Sequence, residues 1–376
     1  MQTQKDKIIH FTTVHPRSDP RIAVKEVPSL YASVSANTYL FVQDGLGSSV
    51  LESGVNVVDT GPRYKSRVKR LVLGGLRMLV ALLKAKPVIA HFHDPELIFV
   101  GLVLKLFGIK VVYDVHEDVP KQIKSKAYLP VFIRTPLSKL VTFLEYFAAS
   151  VFDGVVLAGE TLSPRFPEKK AVVVHNYPVW EEFDSNTGVD YAHRENIFVY
   201  AGGITEHRGA RIMVDAMKDE RLSTSKLLFA GRFQPPALES TLSSSPVWGL
   251  VDNRGWLSRR ELVSALQCSR AGLVVLKPEP NYICSYPTKM YEYMAAGLPV
   301  IASDFPFWRN ILAGYNCAIF VNPLNVEEVA DAMSWVLSNP VQAQEMGEKG
   351  RKLMLDKFNW SVESEILVGL YNQLLS

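Results

Sequence analysis

The sequence predicts an α/β protein of two doubly wound, Rossmann-like domains, each with a parallel sheet between layers of helices. Short β-branched runs alternate with longer helix-like segments through almost the whole chain, which is typical of such sheets. The length of 376 residues exceeds what one hydrophobic core usually organises. The alternation pauses over residues 178–195, whose Pro, Asp, Glu, Asn and Gly content indicates an interdomain linker. We therefore expect an N-terminal domain over residues 1–177 and a C-terminal domain over residues 196–358, facing each other across a cleft.

The predicted strands form one series in each domain. In the first domain they are Ile8–Thr12, Tyr39–Val42, Val88–Phe92, Val111–Val115, Val155–Ala158 and Val172–Val174. In the second domain they are Ile197–Ala201, Lys226–Ala230, Ala271–Leu276, Val300–Ser303 and Ala318–Val321. Ligands of doubly wound sheets bind beyond the carboxyl ends of the strands. The residues that follow these runs are therefore the candidates for a functional site.

Composition is that of an ordinary globular protein, with 48% hydrophobic and 21% charged residues. The formal net charge of +3 argues against a dedicated nucleic-acid binder, whose domain would be strongly basic. Cys268, Cys284 and Cys317 have neither metal-ligand spacing nor an even count, which fits a reducing cytosol. No apolar segment follows the polar first residues, and no apolar run approaches ~18 residues. These features predict a cytoplasmic protein without a secretory signal or a membrane-spanning segment.

A glycine-rich turn follows the first predicted strand of the second domain. Gly202 and Gly203 come directly after that strand, and Arg208 follows them closely. Glycines let backbone N–H groups approach a phosphate, and a nearby arginine can neutralise it. A plain strand-to-helix turn with a solvated arginine is the alternative. The glycine spacing fits neither a Walker A loop nor a dinucleotide fingerprint.

The segment Ser285–Gly297 predicts a helix whose N terminus binds an anion. Ser285 can cap this helix, Pro287 favours its first turn, and Gly297 ends it. The free N–H groups and the helix dipole would favour a diphosphate there. Glu292 lies further along the same face, where its carboxylate could accept hydrogen bonds from ribose hydroxyls. A capped surface helix with an ordinary glutamate is the alternative. The further hydrogen-bond donors are the side chains of Ser285, Thr288 and Lys289.

The predicted strand Val111–Val115 runs into a cluster of ionisable residues. Three carboxylates around one histidine can tune its protonation or present hydrogen bonds to a sugar. One of them could also bind a metal, although the spacing is no recognised metal motif. The cluster consists of Asp114, His116, Glu117 and Asp118.

Two other strands of this domain also end in polar residues. Alternation sends His91 and His93 to the same face, with His93 and Asp94 nearer the cleft. A structural histidine that donates to a backbone carbonyl is the favoured interpretation of this pair, and a role in the cleft is the alternative. The loop after the first strand is predicted to lie at the rim of the cleft, and it contains His15, Asp19 and Arg21.

The segment Arg63–Lys86 predicts a basic amphipathic helix. No Asp or Glu lies between Asp59 and Asp94, and basic residues repeat on one helical face. Such a helix suggests contact with an anionic membrane surface. A helix that covers the sheet and has a solvated basic face is the alternative, and the two are compatible. The apolar residues at helical spacing are Val68, Leu71, Val72, Leu76, Leu79 and Leu83.

Together these segments resemble the retaining glycosyltransferases of the GT-B fold, specifically the large family 4 that elongates bacterial surface glycans. The resemblance covers nearly the whole chain. In that family the final helix crosses back to the N-terminal domain, which assigns residues 359–376 to it. The resemblance is carried by Tyr113–Asp118, Asn176, the Gly202-Gly203 turn, Pro287–Ser303 and the terminal segment from Phe358.

The resemblance implies roles for individual residues. His116 would lie beside the transferred sugar, Arg208 on the donor diphosphate and Glu292 on the ribose, and these three form the predicted catalytic set. The predicted donor-binding residues are Gly202, Gly203, Gly231, Arg232, Leu257, Ser285, Thr288 and Lys289. The predicted acceptor-side residues are His15, Asp19, Arg21, His93, Asp94 and Glu117.

Two positions depart from the family pattern. Gly203 stands where an arginine often follows the first glycine of the turn, and Lys289 or Arg232 could replace that guanidinium. Ser285 stands where the first glutamate of an E-x7-E pair is usual. The loss of that glutamate leaves the identity of the donor sugar undefined.

The implied reaction transfers a hexose from a UDP- or GDP-sugar to a glycan hydroxyl, with retention of configuration. No carboxylate is an obvious nucleophile, so the resemblance implies front-face attack, with cations and helix N–H groups in place of a metal. We therefore predict that no metal or other cofactor is required. The expected acceptor is a lipid-linked glycan at the inner face of the cell membrane, in surface polysaccharide biosynthesis. The alternatives are a nucleotide-sugar epimerase of the same fold and a non-catalytic subunit that binds a nucleotide or glycan.

Overall fold

The computed structural model describes residues 6–125, 129–184 and 190–376. They form two compact units, each with one mainly parallel sheet. Unit 1 comprises the described residues up to Asn176 together with Trp360–Ser376, and unit 2 runs from Tyr177 to Asn359. The described residues of the predicted linker therefore belong to unit 2. The predicted fold class, two Rossmann-like α/β domains, is confirmed.

The sheet of unit 1 has eight strands in the part of the chain that is described. Their order across the sheet is β3-β4-β2-β1-β5-β6-β7-β8, and only the β3–β4 pair is antiparallel. The direction of winding reverses between β1 and β5, so the carboxyl ends of these strands form the switch point where doubly wound sheets bind ligands. The strands are β1 (Lys7–Phe11), β2 (Asn37–Val42), β3 (Ser49–Val50), β4 (Asn56–Asp59), β5 (Ile89–Phe92), β6 (Lys110–Val115), β7 (Gly154–Leu157) and β8 (Ala171–Val173).

The helices up to β7 are α1 (Val27–Ser33), α2 (Arg67–Lys69), α3 (Gly75–Ala85), α4 (Ile98–Leu106), α5 (Val119–Ser125) and α6 (Val131–Val151). Helix α3 packs against α4, and α4 packs against α6. Right-handed crossovers from β5 to β6 to β7 place these helices on one face of the sheet, and the crossover from β1 to β2 places α1 on the other. We call α2, α3, α4 and α6 the helical layer. No helix of the described residues is both long and apolar enough to span a bilayer.

The predicted basic helix begins later in the sequence than expected, and its larger apolar side chains face outward. It starts at Arg67, continues through a π-helical stretch at Arg70–Gly74 and ends with α3 at Ala85. Its buried side is formed by Gly74, Gly75, Met78 and Leu82. The two glycines allow a close approach to the sheet and to α4, where a Cβ on Gly75 would already touch Val100 at 3.5 Å. The larger apolar side chains therefore point outward, and Val68, Leu71, Val72 and Leu76 are exposed.

The sheet of unit 2 has six parallel strands among its described residues, in the order β11-β10-β9-β12-β13-β14. The inner strands β9, β12 and β13 are buried along their whole lengths because helices cover both faces. The strands are β9 (Ile197–Ala201), β10 (Lys226–Ala230), β11 (Val251–Gly255), β12 (Ala271–Val274), β13 (Val300–Ser303) and β14 (Ala318–Val321). The helices are α7 (Ala210–Ala216), α8 (Ala237–Ser243), α9 (Arg259–Gln267), α10 (Thr288–Ala295), α11 (Pro306–Ile311), α12 (Val326–Ser338) and α13 (Pro340–Asp356).

The last helix, α14 (Trp360–Leu375), belongs to unit 1 and packs against α1 and β8. Trp360 Nε1 donates to Ser29 Oγ on α1 at 2.8 Å. After β8, His175 Nδ1 lies 3.1 Å from Glu363 Oε1, and its Nε2 lies 2.9 Å from Glu160 Oε2. Burial acts against the charged imidazole, but the two glutamates outweigh it and raise the pKa of His175 to about 9.

We expect the His175–Glu363 pair to stabilise unit 1 in a pH-dependent way. The folded-state pKa of about 9 exceeds the ordinary value of 6.5, so the stabilisation is complete below pH 6.5 and is lost as the pH rises through 9. Glu363→Gln should therefore lower the free energy of unfolding by about 1–2 kcal/mol at pH 6, since the pair is partly screened, and by much less at pH 10. Urea titrations of both proteins across this range measure the difference. His193→Gln removes an exposed histidine as the control, and a pH-independent loss in Glu363→Gln would contradict the assignment.

Candidate functional site

In unit 2 the predicted donor residues follow four strands at one edge of the sheet. β9 and β12 are neighbours from which the chain winds in opposite directions, so their carboxyl ends form the switch point of this sheet. Gly202 and Gly203 come directly after β9, and Gly231 comes after β10. Helix α10 begins after the loop that leaves β12. The fold thus brings the predicted glycine-rich turn and the predicted anion-binding helix to the same edge.

Gly231 and Gly209 are required by the close approach of backbone segments at this edge. A Cβ built on Gly231 would lie 1.9 Å from the Gly202 carbonyl oxygen. A Cβ on Gly209 would lie 2.0 Å from the Val275 carbonyl oxygen. Gly202 and Gly209 also have φ values of 113° and 80°, which L side chains rarely adopt. Only glycine therefore fits at positions 209 and 231.

Two cations lie beside the glycine-rich turn. Arg208 Nη1 donates to the Gly203 carbonyl at 3.4 Å, and Lys289 Nζ lies 5.0 Å from the centroid of the Tyr200 ring. A Cβ on Gly202 would be 3.7 Å from Lys289 Nζ. Within the described ranges this ammonium has no hydrogen-bond or ion-pair partner. The Gly202 and Ile204 N–H groups already donate to the Ala230 and Arg232 carbonyls, at 2.8 and 2.9 Å. The two cations are therefore the feature of this turn that suits a diphosphate.

The two cations differ in their protonation. Burial and then the nearby Arg208 lower the pKa of Lys289 to about 7, while Glu292 opposes the shift. Burial also acts against the charged form of Arg208, but contacts with Tyr200 and Tyr282 outweigh it and raise its pKa. Arg208 is therefore charged at neutral pH, whereas Lys289 gains a proton readily when an anion comes close.

The predicted cap of the anion-binding helix was wrong. Pro287 occupies the N-cap position of α10, and the helix has no side-chain cap in the described structure. Ser285 closes a turn of its own instead, because its Oγ donates to the Tyr282 carbonyl at 3.0 Å. The Ser285 carbonyl accepts from Trp308 Nε1 at 2.9 Å. The predicted helix end is confirmed, since Gly297 has a φ of 69°. An uncapped first turn offers its N–H groups to a ligand.

Glu292 is held by Arg259, which sequence reasoning missed. Arg259 Nη1 pairs with Glu292 Oε1, and its Nε and Nη2 lie 2.7 and 2.6 Å from Glu182 Oε2. Burial acts against the charged guanidinium, but Glu292 and Glu182 outweigh it and raise the pKa of Arg259. The capping box of Ser258 and Glu261, which starts α9 just before Arg259, was the signal that could have found this residue.

The remaining predicted donor residues lie around this edge. Thr288, at the start of α10, is exposed. Arg232 is exposed as well, and its carbonyl accepts a hydrogen bond from the Ile204 N–H at 2.9 Å. Leu257 follows β11 and packs against the core of unit 2. Within the described parts of the chain, none of these three side chains has a hydrogen bond or ion pair with Arg208 or Lys289.

In unit 1 the structure joins His116 to a buried carboxylate. Asp114 Oδ2 lies 2.8 Å from His116 Nε2 and 3.0 Å from His93 Nδ1. Arg21 holds the same carboxylate from the other side, with Nε 3.0 Å from Oδ2 and Nη2 2.9 Å from Oδ1. His116 is partly exposed, whereas Asp114, His93 and Arg21 are buried. Arg21 and His93 therefore lie beneath His116 as its support.

A single buried charge pair dominates the electrostatics of this cluster. Burial opposes ionisation of Asp114, but Arg21 and His116 outweigh it and hold its pKa well below the ordinary range. Burial raises the pKa of Glu26 well above the ordinary range, and Asp114 raises it further. Burial lowers the pKa of His93 to about 4. Arg21 and Asp114 thus carry opposite charges, and Glu26 Oε1 lies 2.8 Å from the same Arg21 Nε.

A chain of hydrogen bonds continues from His93 to the last helix. His10 Nδ1 lies 3.1 Å from His93 Nε2, and His10 Nε2 lies 3.1 Å from the Tyr371 hydroxyl. That hydroxyl lies 2.7 Å from His91 Nδ1. With neutral rings at His10, His91 and His93, one assignment satisfies the links that run to Tyr371. In it the His93 Nδ1–H donates to Asp114, the His10 Nδ1–H to His93, the His91 Nδ1–H to Tyr371, and the Tyr371 hydroxyl to His10. His116 Nε2 donates to the same Asp114 carboxylate.

The prediction that His91 and His93 share a face is confirmed, because their rings stack at 4.8 Å. The favoured interpretation, in which His93 donates to a backbone carbonyl, was wrong. Its partner is the Asp114 carboxylate, because β5 and β6 are adjacent in register and present these side chains to each other. No sequence spacing within β5 contains that information.

The loop after β1 brings His15 and Asp19 close to His116. The rings of His15 and His116 are 4.7 Å apart, and His15 Nδ1 lies 2.9 Å from Asp19 Oδ2. Burial acts against both charges, but this pair raises the pKa of His15 and lowers that of Asp19 to about 2. Asp94 is buried and accepts from Thr12 Oγ1 at 2.9 Å, which fixes the loop. Glu117 is exposed beyond His116.

Two sets of side chains among the described residues could hold a metal. Each has its ligand atoms within 4.8 Å of one another, and the sets share His93. In the first, the rings of His10, His91 and His93 stack with interplanar angles of 17–36°, so their lone pairs do not converge on one point. In the second, hydrogen bonds already account for the short distances. The sets are His10–Glu26–His91–His93 and His93–Asp114–His116.

The family model described as Glycosyl transferases group 1 matches residues 188–353. Two curated relatives match part of the chain at low sequence identity. One is the MMP alpha-(1->4)-mannosyltransferase of Mycolicibacterium hassiacum, 22% identical over 37% of this chain and 33% of its own length. The other is the alpha-D-kanosaminyltransferase of Streptomyces kanamyceticus, 24% identical over 47% of this chain and 46% of its own length. The chain thus matches less than half the length of these relatives.

Solved structures resemble the chain over nearly its whole length. The sucrose-phosphate synthase of Thermosynechococcus elongatus is 17% identical, with a TM-score of 0.75 over 99% of both chains. HepE of Anabaena, in complex with UDP-glucose, is 10% identical, with a TM-score of 0.72 over 98% of this chain and 99% of its own. At these identities the likeness establishes the fold, which is GT-B.

Proposed function

We propose that the chain transfers a hexose from a nucleoside diphosphate sugar to an acceptor hydroxyl, since residues 188–353 match the family model of the Glycosyl transferases group 1. The observation that carries this proposal is the convergence of Arg208, Lys289 and the uncapped start of α10 at the switch point of unit 2. That combination is an anion site for a diphosphate. HepE is described in complex with UDP-glucose, which supports a UDP-sugar as the first donor to test, with GDP-sugars next.

In the proposed reaction the diphosphate leaves the anomeric carbon and the acceptor hydroxyl attacks from the same side, which retains the configuration. The acceptor proton passes to the leaving diphosphate. Arg208, protonated Lys289 and the N–H groups of α10 stabilise the charge that builds on the diphosphate, so no metal is needed. Glu292, oriented by Arg259, accepts hydrogen bonds from the ribose. His116, oriented by Asp114, binds a hydroxyl of the transferred sugar.

We further propose a glycan acceptor, lipid-linked and used in surface polysaccharide biosynthesis. The outward apolar side chains and basic residues of the Arg63–Lys86 segment support an acceptor presented at an anionic membrane surface, on the cytoplasmic side. His15, Asp19 and Glu117 are the accessible polar residues around His116 that would contact the acceptor.

A thermal-shift screen of UDP-, GDP-, ADP- and dTDP-sugars tests the donor site. One nucleotide series should raise the melting temperature by about 5–10 °C at a hundredfold excess over its Kd. Arg208→Met should abolish the shift, while Arg211→Met, which removes an exposed arginine paired with Glu206, should keep it. Transfer to an acceptor should then survive EDTA. A screen without any nucleotide-dependent shift would refute the proposed function, and loss of transfer in EDTA would refute its metal independence.

A further inference from the structure

The outer surface of α6 carries an apolar stripe that the core of unit 1 does not use. Phe132, Leu140, Phe143 and Phe147 recur at helical spacing, and Phe132 and Phe143 are 80% and 64% exposed. The rings of Phe143 and Phe147 stack at 6.4 Å. The opposite side of the helix supplies the buried residues, among them Ala148 and Ala149. Soluble monomers rarely expose a contiguous aromatic stripe of this kind without a partner.

The stripe continues across the helical layer. Phe99 on α4 is 58% exposed, and Val68, Val72, Leu76 and Val80 are exposed along α2 and α3. Because α3 packs against α4 and α4 against α6 on one face of the sheet, these side chains lie on a common side of unit 1. The sequence indicated the apolar and basic pattern of the α2–α3 segment and a Lys/Arg-rich stretch at Lys121–Lys139. The fold joins the α2–α3 segment to the aromatic stripe of α6.

The sequence segments that form and flank this face are rich in basic residues and poor in acids. No Asp or Glu occurs between Asp59 and Asp94 or between Asp118 and Glu145. The acids that border the face are neutralised, as in the pairs Glu96–Arg70, Glu145–Arg165 and Asp153–Lys105. Several cations, by contrast, have no carboxylate partner in the described parts of the chain, and they are Arg63, Lys65, Lys69, Lys84, Lys124 and Lys139.

A shallow groove of about 420 Å³ opens beside the aromatic stripe. Lys139 and Arg165 line it together with the rings of Phe143 and Tyr146. A cation next to exposed aromatic rings is the combination that favours the boundary between lipid headgroups and acyl chains.

We propose that the outer side of the helical layer docks unit 1 on an anionic lipid bilayer. The aromatic stripe of α6 enters the interfacial region, the apolar side chains of α2, α3 and α4 extend the contact, and the unpaired cations lie against the headgroups. The lipid-linked acceptor rests on the proposed function, whereas the docking itself requires neither donor nor acceptor. Burial of exposed Phe side chains and Coulomb attraction then act together.

Flotation of the full chain with vesicles tests the docking without any nucleotide sugar. At low salt we expect binding to phosphatidylcholine vesicles that contain phosphatidylglycerol, weaker binding to pure phosphatidylcholine, and a decrease with added salt. Phe132→Ser with Phe143→Ser should weaken partitioning at least about tenfold, because two large apolar side chains are lost. Lys84→Glu with Lys139→Glu should abolish the preference for phosphatidylglycerol. Both double variants should melt like the wild type, since all four side chains are exposed.

Leu324→Ser with Val341→Ser removes two exposed apolar side chains from unit 2 and is the matched control, which should bind like the wild type. Absence of binding to anionic vesicles at low salt would overturn the inference, as would unchanged binding by the Phe132/Phe143 variant. Light scattering would also overturn the inference if the wild type were a dimer and the Phe132/Phe143 variant a monomer. The stripe would then be an interface with a second copy of the chain. Vesicle binding by a protein that fails every nucleotide-sugar test would sustain the docking and refute the transferase.

Discussion

Replacing Arg21 by methionine is expected to lower the free energy of unfolding of unit 1 by about 3–5 kcal/mol. Arg21 and Asp114 are 3% and 0% exposed, and the guanidinium holds both carboxylate oxygens. The substitution strands a buried charge and also removes the donor to the Val174 carbonyl. Amide hydrogen exchange in β5 and β6 should become faster, and the ratio of exchange rates measures the loss of free energy of unfolding. Exchange in β9 and β10 of unit 2 is the internal reference.

The control is Arg17→Met, which breaks a second bidentate Arg–Asp pair in the same unit. Arg17 and Asp44 are 18% and 17% exposed, so solvent screens the pair and its loss should cost at most ~1 kcal/mol. Arg21→Met combined with Asp114→Asn should recover part of the loss, because the stranded charge is gone. Equal effects of Arg21→Met and Arg17→Met would show that the buried network does not have the charges assigned to it.

Replacing Lys289 by methionine is expected to weaken the binding of a nucleoside diphosphate by about 10- to 100-fold at pH 7, the range of a charge-assisted hydrogen bond. The pKa of about 7 applies to the site without an anion, and a bound diphosphate must raise it. Binding therefore takes up a proton above pH 7, and the wild-type affinity should fall as the pH rises from 7 to 9. Titration calorimetry in two buffers of different ionisation enthalpy at pH 8 should detect uptake of about one proton.

Lys289→Met should bind without proton uptake and with a flat pH profile. Lys226→Met is the matched control, since Lys226 is an exposed lysine at the amino end of β10, at the opposite edge of the sheet. A wild-type affinity that does not change between pH 7 and 9 would contradict the role given to Lys289.

Much of the fold could be predicted because alternating strands and helices leave a strong pattern. The predicted runs Ile197–Ala201 and Lys226–Ala230 coincide with β9 and β10 to the residue. Strand β11 was missed because it contains Asp252, Asn253 and Arg254, and it is an edge strand held by pairing with β10 rather than by burial. The outward stripe on α3 was beyond prediction for another reason. Periodicity locates an apolar face, but the direction of that face depends on where the two glycines pack.

The residues of the candidate site, too, were predicted only in part. Residues that follow a strand, such as Gly202, Arg208 and His116, were found because sheet topology places them. Arg259 was missed because its partner Glu292 lies on another helix. The hydrogen bond from His91 to Tyr371 joins residues too far apart in the sequence for any spacing rule. The Ser285 cap failed because a serine can also close a local turn, and local sequence does not decide between the two.

The return of α14 to unit 1 sets an order of events during synthesis. All of unit 2 leaves the ribosome before Tyr371 and Glu363 are available, so the nascent first unit lacks a face of its core and two partners of its histidines. Unit 2 can fold while unit 1 is still incomplete. The hydrogen-bond network behind His116 is therefore completed late in synthesis. A truncated product that stops before α14 would contain a complete unit 2 but an incomplete unit 1.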